Sequence, residues 1–87
     1  MAEALSTREA FLKAREFLRR SGWSARAIAD QMGISEITVR QYAQAPGTPG
    51  ARPVPEDRLA RLQAAARLEA AELVLAAVDI MEREEGR

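Results

Sequence analysis

Residues 23–42 read WSARAIADQMGISEITVRQY, and the spacing inside this stretch decides the fold. Ser24 is a good N-cap, and Ile28, Ala29 and Met32 follow at helical spacing, giving a short helix one apolar side. Gly33 stops that helix and tolerates the positive φ of a tight turn. Ile34 is a lone apolar residue in the turn. Ser35 caps the next helix, in which Val39 and Tyr42 fall three apart on one face. Ala29 is small where a second helix would cross closely, and Ile28, Met32, Ile34, Val39 and Tyr42 plug the angle from both sides. Two short helices at a steep angle are therefore predicted over residues 24–44. The outer face of the second, from Glu36 to Gln44, presents Glu36, Ile37, Arg40, Gln41 and Gln44.

Working outward, Ser6-Thr7-Arg8-Glu9 is a capping-box pattern, and Ala10, Phe11, Ala14, Phe17 and Leu18 recur behind it at helical spacing. That helix should run to about Arg20 and end at Ser21-Gly22, with Trp23 packing at the corner. On the other side, Pro46, Gly47, Pro49, Gly50, Pro53 and Pro55 impose a loop of roughly ten residues. Pro55 suits a first helical turn, with Glu56 and Asp57 near its positive end. From Glu56 to Glu84 there is neither glycine nor proline, and Leu59, Leu62, Ala66, Leu73, Ala76 and Ile80 keep a heptad-like seam that Glu69 interrupts. One long helix, or two with a bend near residues 64–71, both fit. The expected fold is all-α, with four to five helices, a domain over 5–68 and a C-terminal helical extension over 69–87.

Composition narrows the function. Eighty-seven residues suit one small domain with a thin core. The absence of cysteine and histidine removes disulfides, thiolate nucleophiles, zinc-finger ligands and the usual imidazole base. The carboxylates, serines and Lys13 form no catalytic constellation, so no enzyme, metal site or cofactor is expected. The N-terminus lacks the basic start and apolar run of a signal peptide, and the longest apolar stretch, Leu73 to Met81, is broken by Asp79 and too short for a bilayer. A cytoplasmic protein without a membrane partner is expected. Net charge is zero, yet residues 8–52 hold eight basic groups against four acidic ones, a surplus of four. The acid gathers in the tail at Glu82, Glu84 and Glu85. A basic face with an acidic far end is compatible with nucleic-acid binding.

The stretch from Trp23 to Tyr42 resembles the helix-turn-helix of the phage repressor/Cro-like (Xre-type) transcriptional regulators. The preceding helix, the loop and a following helix with Leu59 and Leu62 are similar to that family's lambda-repressor-like domain, so the resemblance covers roughly residues 5–68. Sigma-factor, resolvase and phage-packaging proteins carry near-identical twenty-residue patterns. The resemblance implies a partner, double-stranded DNA, and a set of roles. Ser35, Glu36, Ile37, Arg40, Gln41 and Gln44 would face base edges: Arg40 a guanine, Gln41 or Gln44 an adenine, Glu36 a cytosine amino group and Ile37 a thymine methyl. Ser24, Arg26 and Thr38, with Ser35, would meet phosphates. Where the family often has a glutamine that braces the recognition helix, this chain has Ala25, with Arg26 beside it as a substitute.

The segment Ala70 to Met81 is apolar around much of its circumference, more than one face packed on a small domain needs. A homodimer through Leu73, Leu75, Ala76, Val78 and Ile80 is the expected solution, which would let two recognition helices read a palindrome. The alternative is a fold-back over the first helix within one chain. Two other functions share these residues: a DNA-recognition subunit of a phage or mobile-element complex, and a protein-interaction module such as an antitoxin or a polymerase-binding factor.

Overall fold

The computed structural model describes residues 6–85. Four helices follow in order, α1 (Thr7–Arg20), α2 (Ala25–Met32), α3 (Glu36–Ala43) and α4 (Glu56–Glu85), and no strand occurs among the described residues. Serine hydroxyls start the first three. Ser6 Oγ accepts the Glu9 N–H at 3.1 Å and donates to Glu9 Oε1 at 3.0 Å. Ser24 Oγ accepts from Ala27 N at 3.0 Å, and Ser35 Oγ from Thr38 N at 3.1 Å. Each cap satisfies an amide that helix geometry leaves without a partner.

Glycines end the first two helices. Gly22 follows α1 at φ 98°, and the next amide, Trp23 N, reaches back to Leu18 O at 2.9 Å. Trp23 is half-buried against the core at this corner. Gly33 ends α2 at φ 71°, ψ 35°, so that Ile34 N returns to Ala29 O at 3.0 Å and the chain turns directly into α3.

One cluster holds the four helices together. Phe11, Ala14 and Leu18 enter it from α1, Ile28, Ala29 and Met32 from α2, Val39 and Tyr42 from α3, and Leu59, Leu62 and Ala65 from α4. The Phe11 and Tyr42 rings meet edge to face at 5.8 Å, which ties α1 to α3. Phe11, Leu18, Ile28, Met32 and Leu62 are the largest fully buried side chains, each worth roughly 1.5–3 kcal/mol of transfer free energy. α1 packs chiefly against the root of α4.

Two details differ from the sequence reading, and one alternative it left open is decided. α3 stops at Ala43, and Gln44 is already extended at φ −69°, ψ 147°, two residues ahead of Pro46, which a helix could not include in its interior. That segment is not wholly surface: Val54 is buried in the core just ahead of α4. The stretch from Glu56 to Glu85 is a single helix, so the described residues hold four helices, within the expected four to five. Nothing in that stretch breaks a helix, and Glu69, the polar interruption of the seam, is half-buried where α4 leaves the core.

At about 1.5 Å per residue the thirty residues of α4 span roughly 45 Å, but its last buried residue is Ala65. The remainder projects, and the radius of gyration is 16.1 Å where a compact chain of this length has about 12 Å.

Arg58 reaches from α4 to the end of α2, its Nη1 donating to Met32 O at 2.9 Å. A Cβ at Gly33 would stand 2.7 Å from that same nitrogen in addition to the left-handed backbone. Gly33→Ala is therefore expected to lower the unfolding free energy by about 1–2 kcal/mol, read as a fall in the urea midpoint at unchanged slope. An unchanged midpoint would mean the turn relaxes freely.

Candidate nucleic-acid interface

α3 packs Val39 and Tyr42 inward, with Ala43 and Thr38 half-buried at the edges. At roughly 100° per residue, Glu36, Arg40, Ile37 and Gln41 then occupy one continuous outer arc. Glu36 and Arg40 are exposed, Ile37 is 61% exposed, and Gln41 is half-buried at the edge of the arc. Arg40 takes part in no ion pair among the described residues, although Glu36 lies one turn before it. An exposed isoleucine beside an unpaired guanidinium and amide side chains offers both apolar contact and paired hydrogen bonding.

Of the two remaining expected base contacts, Gln44 lies just beyond the helix. Its carbonyl accepts from Arg8 Nε at 3.0 Å, and its exposed side chain lies over Gly50. Ser35 is exposed at the N-terminus of α3, and its Oγ is 3.0 Å from Thr38 Oγ1. One proton serves that contact, which leaves one hydroxyl proton of the pair for an outside acceptor. Ser24 accepts its cap bond and keeps its own proton for the same use. Arg26 is exposed at the start of α2, outside every ion pair among the described residues.

Beside Ala25 is a recess of about 200 Å³ lined by Arg15, Glu36, Val39 and Arg40. The small side chain at position 25 leaves this space open, and Arg15 of α1, not Arg26, borders it. Arg15 is a cation of the candidate surface that sequence reasoning passed over. Its signal was weak: one of several cations on a helix that reads as scaffold, followed directly by Glu16.

A second omission is Arg8. Its Nη2 donates to Ala43 O at 2.9 Å while Nε holds Gln44 O, so one guanidinium grips the two carbonyls at the end of α3. The Arg52 N–H adds a bond to Gln41 O at 3.2 Å. A cation at a helix C-terminus is favoured by the helix dipole, and a planar fork fits two adjacent carbonyls. α3 is thus fixed at its start by Ser35, along its inner face by Val39 and Tyr42, and at its end by Arg8.

The projecting half of α4 is the other conspicuous surface. Leu73, Leu75, Val78 and Ile80 are 54%, 68%, 44% and 60% exposed, and Ala76 is exposed with them. These five do not share one stripe. On a helix, Leu73, Ala76 and Ile80 follow one line, and Leu75 and Val78 another on nearly the opposite side. Ala70, Val74, Ala77 and Met81 lie between the two lines and join them into a broad apolar face, with Glu72, Asp79 and Arg83 on the polar side. No helix among the described residues is long and apolar enough to cross a membrane.

Comparison of the chain with protein-family profiles, curated proteins and solved structures finds no match.

Removing the Arg8 grip should loosen the end of α3. Arg8→Ala is expected to cost about 1–2 kcal/mol of stability and to speed amide hydrogen exchange at residues 40–44 more than in α2. Equal protection in both helices would show that the guanidinium contributes nothing specific to α3.

Proposed function

We propose that the protein is a sequence-specific DNA-binding transcriptional regulator, acting in the cytoplasm as a homodimer that inserts α3 into the major groove. The observation that carries this reading is the outer face of α3: a two-turn helix held at both ends whose Ile37 and Arg40 stand clear of the core with Gln41 half-buried beside them, and with Arg40 unpaired among the described residues. A helix about 10–12 Å across fits a major groove about 12 Å wide. The fit alone does not select DNA; the side chains on the inserted face do. Arg40 suits paired bonds to guanine, Gln41 and Gln44 to adenine, Ile37 a thymine methyl, and Glu36 a cytosine amino group.

The cations around that helix belong to positioning. Arg15 borders the recess beside it and Arg26 is exposed at the start of α2, and with the free hydroxyl protons at Ser24 and at the Ser35–Thr38 pair they would meet phosphates and set the register. The resemblance of residues 23–42 to repressor/Cro-like regulators supports the same reading. The projecting apolar half of α4 supplies the pairing surface, and a two-fold dimer presents two recognition helices to a palindrome.

The test is selection of bound duplexes from a randomised library, followed by binding measurements with variants. An enriched palindrome is expected. Arg40→Ala should cost about 1–3 kcal/mol on the selected site and relax the preference at one base position. Arg15→Ala should weaken binding to all sequences alike and reduce the salt slope by about one. No enrichment, with no binding even at low salt, would make the helix-turn-helix a protein-binding scaffold.

A further inference from the structure

A recess of about 380 Å³ opens between the start of α1 and the proline-rich segment, within the size range of small-ligand pockets. Thr7 and Arg8 line it from α1, Gln44 and Pro46 from just beyond α3, and Arg52 and Val54 from the approach to α4. It shares no residue with the recess beside Ala25. The wall formed by the proline-rich segment is stiff. Ala45–Thr48 and Thr48–Ala51 are consecutive Pro-Gly turns, with Gly47 at φ 88° and Gly50 at φ 85°. Thr48 N closes the first on Ala45 O at 3.2 Å, and Ala51 N closes the second on Thr48 O at 3.1 Å. Proline presets the second residue of each turn and glycine takes the third at positive φ, so the wall is ordered before anything binds.

The charged groups that line the recess have one sign. They are Arg8 and Arg52, with no carboxylate among the lining residues, and neither joins an ion pair among the described residues. Arg8 gives Nε and Nη2 to the Gln44 and Ala43 carbonyls, which leaves Nη1 uncommitted among the described residues. Arg52 is exposed, and only its backbone N–H is engaged, at Gln41 O. Neighbouring carboxylates stand outside the lining: Glu9 accepts from Ser6 Oγ at 3.0 Å, and Glu56 begins α4 two residues after Val54. Beside the arginines, Pro46, Ala51, Pro53 and Val54 present only carbon from their side chains. A nucleic-acid backbone, convex and hydrated, would use the guanidiniums and leave those carbons without a partner. A small molecule with one oxyanion group and a short apolar body uses both.

We infer that this recess binds a small organic anion, a carboxylate or phosphate monoester held by Arg8 and Arg52 with its apolar body against Pro46 and Val54. The site stands whether or not α3 reads DNA, yet it reaches α3 directly. Arg8 holds the last carbonyls at the end of that helix, the Arg52 N–H holds Gln41 O, and Gln44 is the residue at which the helix ends. An occupant touches all three residues, binds only while they are in place, and so slows the opening of the last turn of α3.

The test is titration of the full-length, isotope-labelled protein with phenyl phosphate, followed by amide chemical shifts in NMR. Saturable shifts are expected at Thr7, Arg8, Gln44, Gly47 and Arg52 and not in α2, with a Kd of about 1 mM, ordinary for a fragment of this size. Inorganic phosphate lacks the apolar body and benzyl alcohol lacks the charge, so each should bind about ten-fold more weakly. Arg52→Ala should weaken phenyl phosphate about ten-fold without altering the fold, since that side chain bonds to nothing among the described residues. At about four times its Kd the probe should slow amide exchange at residues 42–44 about five-fold, and in α2 less. Equal affinity for inorganic phosphate would reduce the recess to a plain phosphate contact, such as a nucleic-acid backbone supplies, and overturn the proposal. Shifts centred on Arg15 and Arg40, or shifts that never saturate, would overturn it as well. Saturable binding that leaves exchange at residues 42–44 unchanged would overturn the link to α3 and keep the site.

Discussion

Everything on the candidate surface depends on the ends of two short helices. α2 and α3 have eight residues each, a length at which an isolated helix in water is not stable. Amides of the following turns take several of their final carbonyls, and the last carbonyl of each is held by an arginine from a longer helix. Arg58 of α4 takes the end of α2, and Arg8 of α1 takes the end of α3. The two long helices thereby hold the two short ones at the angle that Gly33 permits. With those contacts in place, the packing of Phe11 on Tyr42 and the exposure of Arg40 follow from geometry.

Much of this was legible in the sequence because it is local. Ser6, Ser24 and Ser35 announce helix starts within three residues of the amides they cap, and Gly22 and Gly33 end helices for reasons of their own backbone. The apolar periodicity of Phe11, Leu18, Ile28 and Met32 located the core. Arg8 and Arg58 were not legible. Their partners lie 35 and 26 residues away, and a long cation on a helix reads as solvated surface until tertiary structure brings a carbonyl to it. Val54 was hidden for a related reason, since a valine among prolines carries no period. The single span of α4 resolved an ambiguity that composition left open: only tertiary contact says where a break-free sequence stops being packed.

On the candidate surface the division is similar. The outer arc of α3 followed from its inner one, so Ile37, Arg40 and Gln41 were legible once Val39 and Tyr42 were placed. Arg15 belongs to another helix and meets the surface only because α1 crosses behind Ala25. The zero net charge of the chain conceals this arrangement, because the acid of the α4 tip is remote from the cations around α3.

The projection of α4 also separates two kinds of selection on one chain. Its residues beyond Ala65 and Ala66 contribute nothing to the buried cluster, so their replacement leaves the folding of residues 6–66 untouched as long as the helix persists. If the projecting half pairs two copies as proposed, mutations there alter which chains associate while the globular end stays folded. Under the same proposal, the globular end changes its binding preference with equal independence. On that proposal, a duplicated copy of such a gene can diverge at either end alone, keeping the old association with a new specificity, or the old specificity with a new association.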